Sequence, residues 1–389
     1  MLKYGDTESL RFLNFFLTLF AFFLISIVLD PFLPYLFDLC LIALILYAYF
    51  NRGFRESRFV GFEYWASGYL IAAVVSTVRG FLCGTVETYD EILPTFARTL
   101  GILLISPITS IYISKIDNWQ RIKKLLIVLI TVLLLIYTAS ILGLSLIEDS
   151  NGEYHRFSER LAGTISISVP IVLSTLPFAQ AVIAGLALLI AIAVSGARAA
   201  FFGAIIGAAS VFLILTFRKE ISFSKLLFCC AVLLLIGFVF MPPQSVSGLM
   251  SLSGNLNTNA ERGRILAWTV AVSEWFHSPI LGRGVGAIRR VFYEGDWIRV
   301  LHQSGLIGLT FLAGAAGAVI VKLISIKERL AVGLLGTFIV LMLRSFFGSP
   351  FLRASDAGIF FVGMTFLLMN TNHESQITNP IASGSSLKE

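Results

Sequence analysis

Charged residues are scarce in this 389-residue chain: Asp, Glu, Lys and Arg together make up 13% of it. That is about half of what a soluble protein carries. Cysteine is rarer still. Of the four cysteines, Cys40, Cys229 and Cys230 lie inside apolar runs and Cys83 sits at the edge of one. There is no Cys-x-x-Cys and no His-rich or Cys-rich tract, so neither a disulfide framework nor a metal cluster is expected. No repeat at the period of solenoids or propellers is visible. Acidic side chains number 23 against 34 phenylalanines, too few to keep so much apolar surface in water. Soluble enzymes, disordered adaptors and nucleic-acid readers are thereby excluded.

What the chain does have is hydrophobic residues, at 57%. A bilayer span uses about 20 of them, so about twelve spans account for most of the total. The apolar runs lie at 12–29, 32–50, 62–82, 94–114, 125–147, 161–178, 180–196, 199–217, 225–241, 301–322, 330–347 and 357–370. They predict an all-α, polytopic membrane helix bundle of about twelve transmembrane helices. The first run follows a polar start (Lys3, Asp6, Glu8, Arg11) without a small-residue cleavage site, and is expected to be a retained span rather than a signal peptide. Four regions follow: a bundle of spans one to nine over 1–241, a long loop over 242–300, spans ten to twelve over 301–370, and a polar tail over 371–389 expected to be disordered. Gly203-xxx-Gly207 and Gly314-xx-Gly317 fall within spans, where close helix packing accounts for them.

Lys and Arg in the loops set the orientation. With the N-terminus inside, 16 basic residues fall on the inner side and 13 on the outer. The totals are nearly even, but the residue types are not. All nine Lys fall inside, and every outer basic residue is Arg. Arginine without lysine is expected where planar, bidentate recognition of phosphate or carboxylate matters. Any single one of them is equally well a snorkelling or paired side chain. The set as a whole points to an anionic ligand on the outer side.

The loop between Met241 and Leu301 is far longer than ordinary connections, which marks it as functional. Thr258-Asn-Ala-Glu261 fits a capping box, so a helix is expected to begin there and to stop near His277-Ser-Pro279. Ile265, Trp268, Val272 and Trp275 form one apolar face, with Arg264 and Glu274 off that stripe. The tryptophans place this helix along the outer membrane boundary or, by the same face, against the bundle. Gly282-Arg283-Gly284-Val-Gly286 reads as turn-making rather than as a phosphate loop, since no strand precedes it and no Lys-Ser/Thr helix follows. Arg289, Arg290, Glu294, Asp296 and Arg299 lead into the tenth span, with Asp296 fitting an N-cap. His302 reads more readily as a packing histidine than as a catalytic one. Arg262 and Arg264 in the loop, Arg198 between spans seven and eight, and Arg344 and Arg353 near the last outer turn share the same side. Their convergence on one cavity is expected.

These residues resemble a known family. Ser195-Gly-Ala-Arg198 before a small-residue span looks like the SRG-type motif of the O-antigen polymerase and ligase superfamily. Arg264-Ile-Leu-Ala-Trp268, with Ser278-Pro-Ile-Leu-Gly282-Arg-Gly284-Val-Gly286, resembles that superfamily's R…W…PLxGxGxG signature. Asp296-Trp-Ile-Arg-Val-Leu-His-Gln-Ser-Gly305 resembles the element entering the next span. The likeness covers residues 192–320. Ligases typically carry His-Asn upstream, where this chain has Glu294-Gly295, so the resemblance is to polymerases more than to ligases.

The resemblance implies an inner-membrane protein of bacteria with both termini cytoplasmic and its active site facing the periplasm. The implied reaction moves a growing glycan from undecaprenyl diphosphate onto the hydroxyl of a second undecaprenyl-diphosphate-linked repeat unit, with no cofactor or metal and with a chain-length regulator protein as a possible partner. Arg198 and Arg264 would meet the diphosphate charge, and Glu294, Asp296 or His302 would orient or deprotonate the acceptor. Arg262, Arg283, Arg289, Arg290, Arg299, Arg344 and Arg353 would bind substrate. A ligase that transfers glycan to lipid A-core is the alternative within the superfamily. A transporter or lipid-linked glycan flippase is the alternative outside it, although the long late loop breaks the two-half symmetry common in transporters.

Overall fold

The structure is a computed structural model that describes residues 62–86, 154–195, 197–240, 259–287 and 295–346, with single positions at 43, 92, 96, 360, 363, 364 and 367. Every element among the described residues is helical: α1 (Phe62–Leu82), α2 (Tyr154–Thr175), α3 (Phe178–Val194), α4 (Arg198–Phe217), α5 (Phe223–Phe240), α6 (Asn259–Trp275), α7 (Asp296–Ser325) and α8 (Arg329–Ser345). Seven of these fall on expected spans, and α6 falls on the expected loop helix. The expected spans at 12–29, 32–50, 94–114, 125–147 and 357–370, the tail, and Thr258 of the capping box lie outside the described residues apart from the single positions named.

Three stretches, Tyr64–Leu82, Arg198–Phe217 and Asp296–Ser325, are long and apolar enough to cross a membrane. Exposed side chains on a further apolar helix also suit lipid rather than water. Leu234, Leu235, Phe238 and Val239 on α5 stand 61–85% exposed, a contiguous apolar surface that a water-soluble monomer rarely shows. The described chain is therefore a helical membrane protein.

The buried centre is α2, whose residues 162–174 are all buried. It packs against α3, α4 and α8, and the apolar core runs from α2 through α3 and α4 to α5. Its hydroxyls are satisfied by its own backbone: Ser166 donates to Gly163 O at 2.6 Å, and Ser174 and Thr175 donate to Ile171 O at 3.0 and 2.8 Å. Pro170 interrupts the helix ladder, because it has no N–H and its ring crowds the preceding turn. Thr337 of α8 donates to Ile167 O in that turn at 2.8 Å, a bond between helices beside the disturbed ladder. Gly207 and Gly336 meet where α4 crosses α8, each so close that an added Cβ would lie 3.0–3.1 Å from the other's carbonyl oxygen. Gly207 thus takes the packing role expected of it, whereas Gly317 has open space beside it.

α1 lies along α7 in the opposite direction. Its start packs at Phe311 and Gly314 through Trp65, its middle at Ser304 and Gly308 through Tyr69, and its end at Arg283 through Gly80. The bundle therefore has two distinct ends. At one, Arg218 donates to Ile326 O and Lys327 O at 2.8 and 2.9 Å, and Arg329 pairs with Glu220 at 2.6 Å. This end gathers Lys219, Lys225, Lys322 and Lys327. At the other end stand the close of α1, the starts of α4 and α7 and the close of α8, which hold Arg79, Arg198, Arg299 and Arg344.

Candidate functional site

The arginine-bearing end is built around a break in α7. At Gly305 the chain takes φ +63° and ψ −160°, and the helix resumes beyond it. A break of this kind frees carbonyls before it and N–H groups after it, which in an apolar setting must be bonded again. The loop after α6 supplies the partners. Arg283 N donates to His302 O at 2.9 Å and Gly284 N to Gln303 O at 3.0 Å, while Leu306 N and Ile307 N donate to Pro279 O and Ile280 O at 2.9 and 3.2 Å. Gly282, at φ +71°, lies so near that an added Cβ would be 2.6 Å from both Ser304 N and Gly305 N.

From the other side α1 grips the same loop. Thr77 Oγ1 accepts from Val285 N at 3.1 Å, Thr85 donates to Arg283 O at 3.0 Å, and Ser76 donates to Leu281 O. Arg79 donates through Nη1 to Gly282 O at 3.1 Å and to Ser278 Oγ. The glycine-rich run is thus turn-making as expected, with φ of +71°, +97° and +84° at Gly282, Gly284 and Gly286. It is also a splice between two membrane helices.

The docked loop carries Arg283 to the charged cluster. Glu274 Oε2 lies 3.1 Å from Arg283 Nη1 and 3.1 Å from His302 Nε2. His302 is 1% exposed. Its polar partner is what makes that burial tolerable. Here the expected apolar stripe of α6 needs correction. Among the described side chains of α6, Ala267 and Ala271 are buried, with Glu274 continuing their face, while Trp268, Val272 and Trp275 are only half-buried beside it. Small residues let α6 approach α7 closely, which a tryptophan face would prevent.

Asp296 stands in the first turn of α7 and is 3% exposed. It does not cap the helix as expected: Gly295, at φ +130°, holds the N-cap position, because Ser345 O and Phe346 O press too close there for a side chain. Trp297 donates to Ser345 Oγ at 2.6 Å and stacks on Phe346, tying α7 to the close of α8. Arg299 follows one turn after Asp296, and Tyr69 of α1 sits in the electrostatic field of both. Arg344, 8% exposed, donates to Gly163 O at 2.9 Å, and its stem passes 3.5 Å from where a Gly203 Cβ would stand.

Arg198 opens α4 a turn and a half before Gly203, at the same end as Arg344. Arg262 belongs to α6 with Arg264. Glu294, Arg289, Arg290 and Arg353 lie outside the described residues. The arrangement therefore joins Glu274, Arg283 and His302 directly, and sets Asp296 and Arg299 on the same opening turns of α7. Arg198 and Arg344 stand on the neighbouring helices of that end. Arg79, which the sequence did not single out, ties α1 to the loop, and Glu274, noted there only as lying off the apolar stripe, joins Arg283 to His302. Chemically, this end combines fixed guanidinium groups suited to oxyanions with a buried carboxylate and a carboxylate–imidazole pair suited to handling a proton. Comparison of the sequence with protein-family models and with characterised proteins finds no match.

Proposed function

We propose that this chain is a membrane glycosyltransferase that polymerises lipid-linked glycan repeat units, of the kind represented by the O-antigen polymerases. The observation that carries the reading is the sorting of basic residues along the bundle. Lysines collect at one end, and at the other Arg198, Arg283, Arg299 and Arg344 accompany Asp296 and the Glu274–His302 pair.

In this reading the chain has about twelve spans and sits in the bacterial inner membrane with both termini cytoplasmic. Its arginine-bearing end then faces the periplasm. A hydroxyl oxygen of the incoming repeat unit attacks the anomeric carbon of the growing glycan. As that bond forms, the bond to the diphosphate oxygen breaks and its electron pair leaves with undecaprenyl diphosphate. A diphosphate is a good leaving group once its charge is met, so the first task of the protein is electrostatic. Arg198 and Arg264 meet it, with Arg262, Arg283, Arg289, Arg290, Arg299, Arg344 and Arg353 as further anion contacts. The acceptor proton passes to Asp296, His302 or Glu294.

The break in α7 also invites a transport reading, since transporters bind substrate at discontinuous helices. There the freed backbone groups face the substrate. Here His302 O, Gln303 O, Leu306 N and Ile307 N are bonded to the loop, which favours a rigid scaffold over a moving gate.

Purified protein incubated with undecaprenyl-diphosphate-linked repeat units should yield a ladder of polymer and free undecaprenyl diphosphate. Arg198→Lys and Arg264→Lys keep charge but lose the bidentate fork, and each should lose most polymer while the protein stays in the membrane. Near-normal polymer from both variants would contradict the diphosphate role.

A further inference from the structure

Between the close of α1 and the loop after α6 lies a cleft of about 230 Å³, lined by Arg79, Gly80, Cys83, Thr85, His277, Ser278 and Arg283. None of the lining residues is acidic. Arg79 and Arg283 each engage a protein partner through Nη1. Among the described residues, their Nε and Nη2 groups take no partner. Two guanidinium forks and the Ser278 hydroxyl make the cleft a receptor for an oxyanion. Its volume is below the roughly 300–1,000 Å³ of pockets that enclose a whole small ligand, so it suits a head group rather than an oligosaccharide.

The rim identifies the rest of the ligand. Leu82, next to Cys83, is 85% exposed; Phe276, next to His277, is 67% exposed; and Ile280, two residues after Ser278, is 60% exposed. A cationic cleft edged by bare apolar side chains matches an amphiphile whose anionic head enters and whose hydrocarbon lies along the rim. We propose that this cleft binds the phosphodiester head group of an anionic membrane phospholipid. The bound lipid neutralises Arg79 and pins the loop that bridges the break in α7. This inference does not rest on the polymerase reading, because it uses only the cleft and the membrane setting.

The full-length protein, purified in detergent and stripped of lipid, is titrated with phosphatidylglycerol, phosphatidylcholine and inorganic phosphate. Bound lipid is counted by intact-complex mass spectrometry, and thermal stability is followed in parallel. Phosphatidylglycerol should bind one site at least about tenfold more tightly than phosphatidylcholine and raise the melting temperature, and millimolar phosphate should not displace it. Arg79→Gln removes the charge and should lose the preference. Cys83→Asp places a negative charge on an exposed lining position that anchors nothing; it should abolish the preference with the fold intact, whereas Cys83→Ser should keep it. Equal binding of the two lipids, or an unaltered preference in Cys83→Asp, would overturn the proposal. Displacement by inorganic phosphate alone would reassign the cleft to a free anion and overturn the lipid assignment.

Discussion

Glu274 joins two groups that lie far apart along the chain, Arg283 in the loop and His302 in α7, through one carboxylate oxygen. Replacing it with Gln keeps the shape and removes the charge. Hydrogen bonds to charged groups are worth about 1.5–3 kcal/mol, and the partial exposure of Glu274 places Glu274→Gln near the lower figure. The expected result is a lower melting temperature and polymer formation reduced more than the loss of stability explains. Gly282 faces a harder constraint. Its positive φ, with the backbone of Ser304 and Gly305 against it, means that Gly282→Ala should cost at least about 1–3 kcal/mol. Thermal unfolding in detergent measures it.

The turn role of Gly282, Gly284 and Gly286 was legible, because glycines this closely spaced serve positions that other residues avoid. Glu274 was not. The large aromatic residues of α6 advertise an apolar face, while the face in use is the quieter Ala267–Ala271–Glu274 set. Arg79 was hidden for a similar reason: at the end of a span, one arginine looks like any snorkelling side chain until its partners are known.

At the scale of elements, hydropathy placed the described apolar helices well, because an apolar run of sufficient length has few other places to go. The ends of α1 through α5 fall within a few residues of expectation, apart from the polar start of α2 at Tyr154. Hydropathy did not reveal the break in α7, since the polar step His302-Gln303-Ser304-Gly305 is too short to interrupt the apolar run at 301–322. A remote loop supplies the bonds that the break would otherwise leave open. Beside Pro170, Thr337 of α8 bonds Ile167 O across the helix interface. Thr337→Val should remove that bond and destabilise the bundle by about 0.6–1.7 kcal/mol, the range measured for side-chain hydrogen bonds between membrane helices. A denaturation series in mixed micelles would read it, with no change expected in the arginine-bearing end.

For the whole molecule, the separation of basic residues is the feature with most consequence. Counting charge gave nearly equal totals on the two sides, and only residue type distinguished them. The bundle places Lys219, Lys225, Lys322 and Lys327 at one end, with Arg79, Arg198, Arg299 and Arg344 at the other. In a chain stripped of its own cysteines, Lys327→Cys and His277→Cys should therefore react with a membrane-impermeant thiol reagent from opposite faces of the membrane. Labelling of both from one face would contradict the placement of the site. The gathering of arginines from distant segments was foreseeable as a shared side. Which of them touch, and through which carboxylate, depends on the helix break and on the loop that fills it.

The most direct test of the account is a gel profile of surface lipopolysaccharide from cells lacking this gene and from cells in which it is restored. If the chain polymerises lipid-linked repeat units as proposed, deletion leaves core bearing a single repeat unit without the polymer ladder, and restoration recovers the ladder, but not with the Arg198→Lys or Arg264→Lys forms. An unchanged ladder in the deletion strain would contradict it, as would bare core with long glycan still accumulating on undecaprenyl diphosphate.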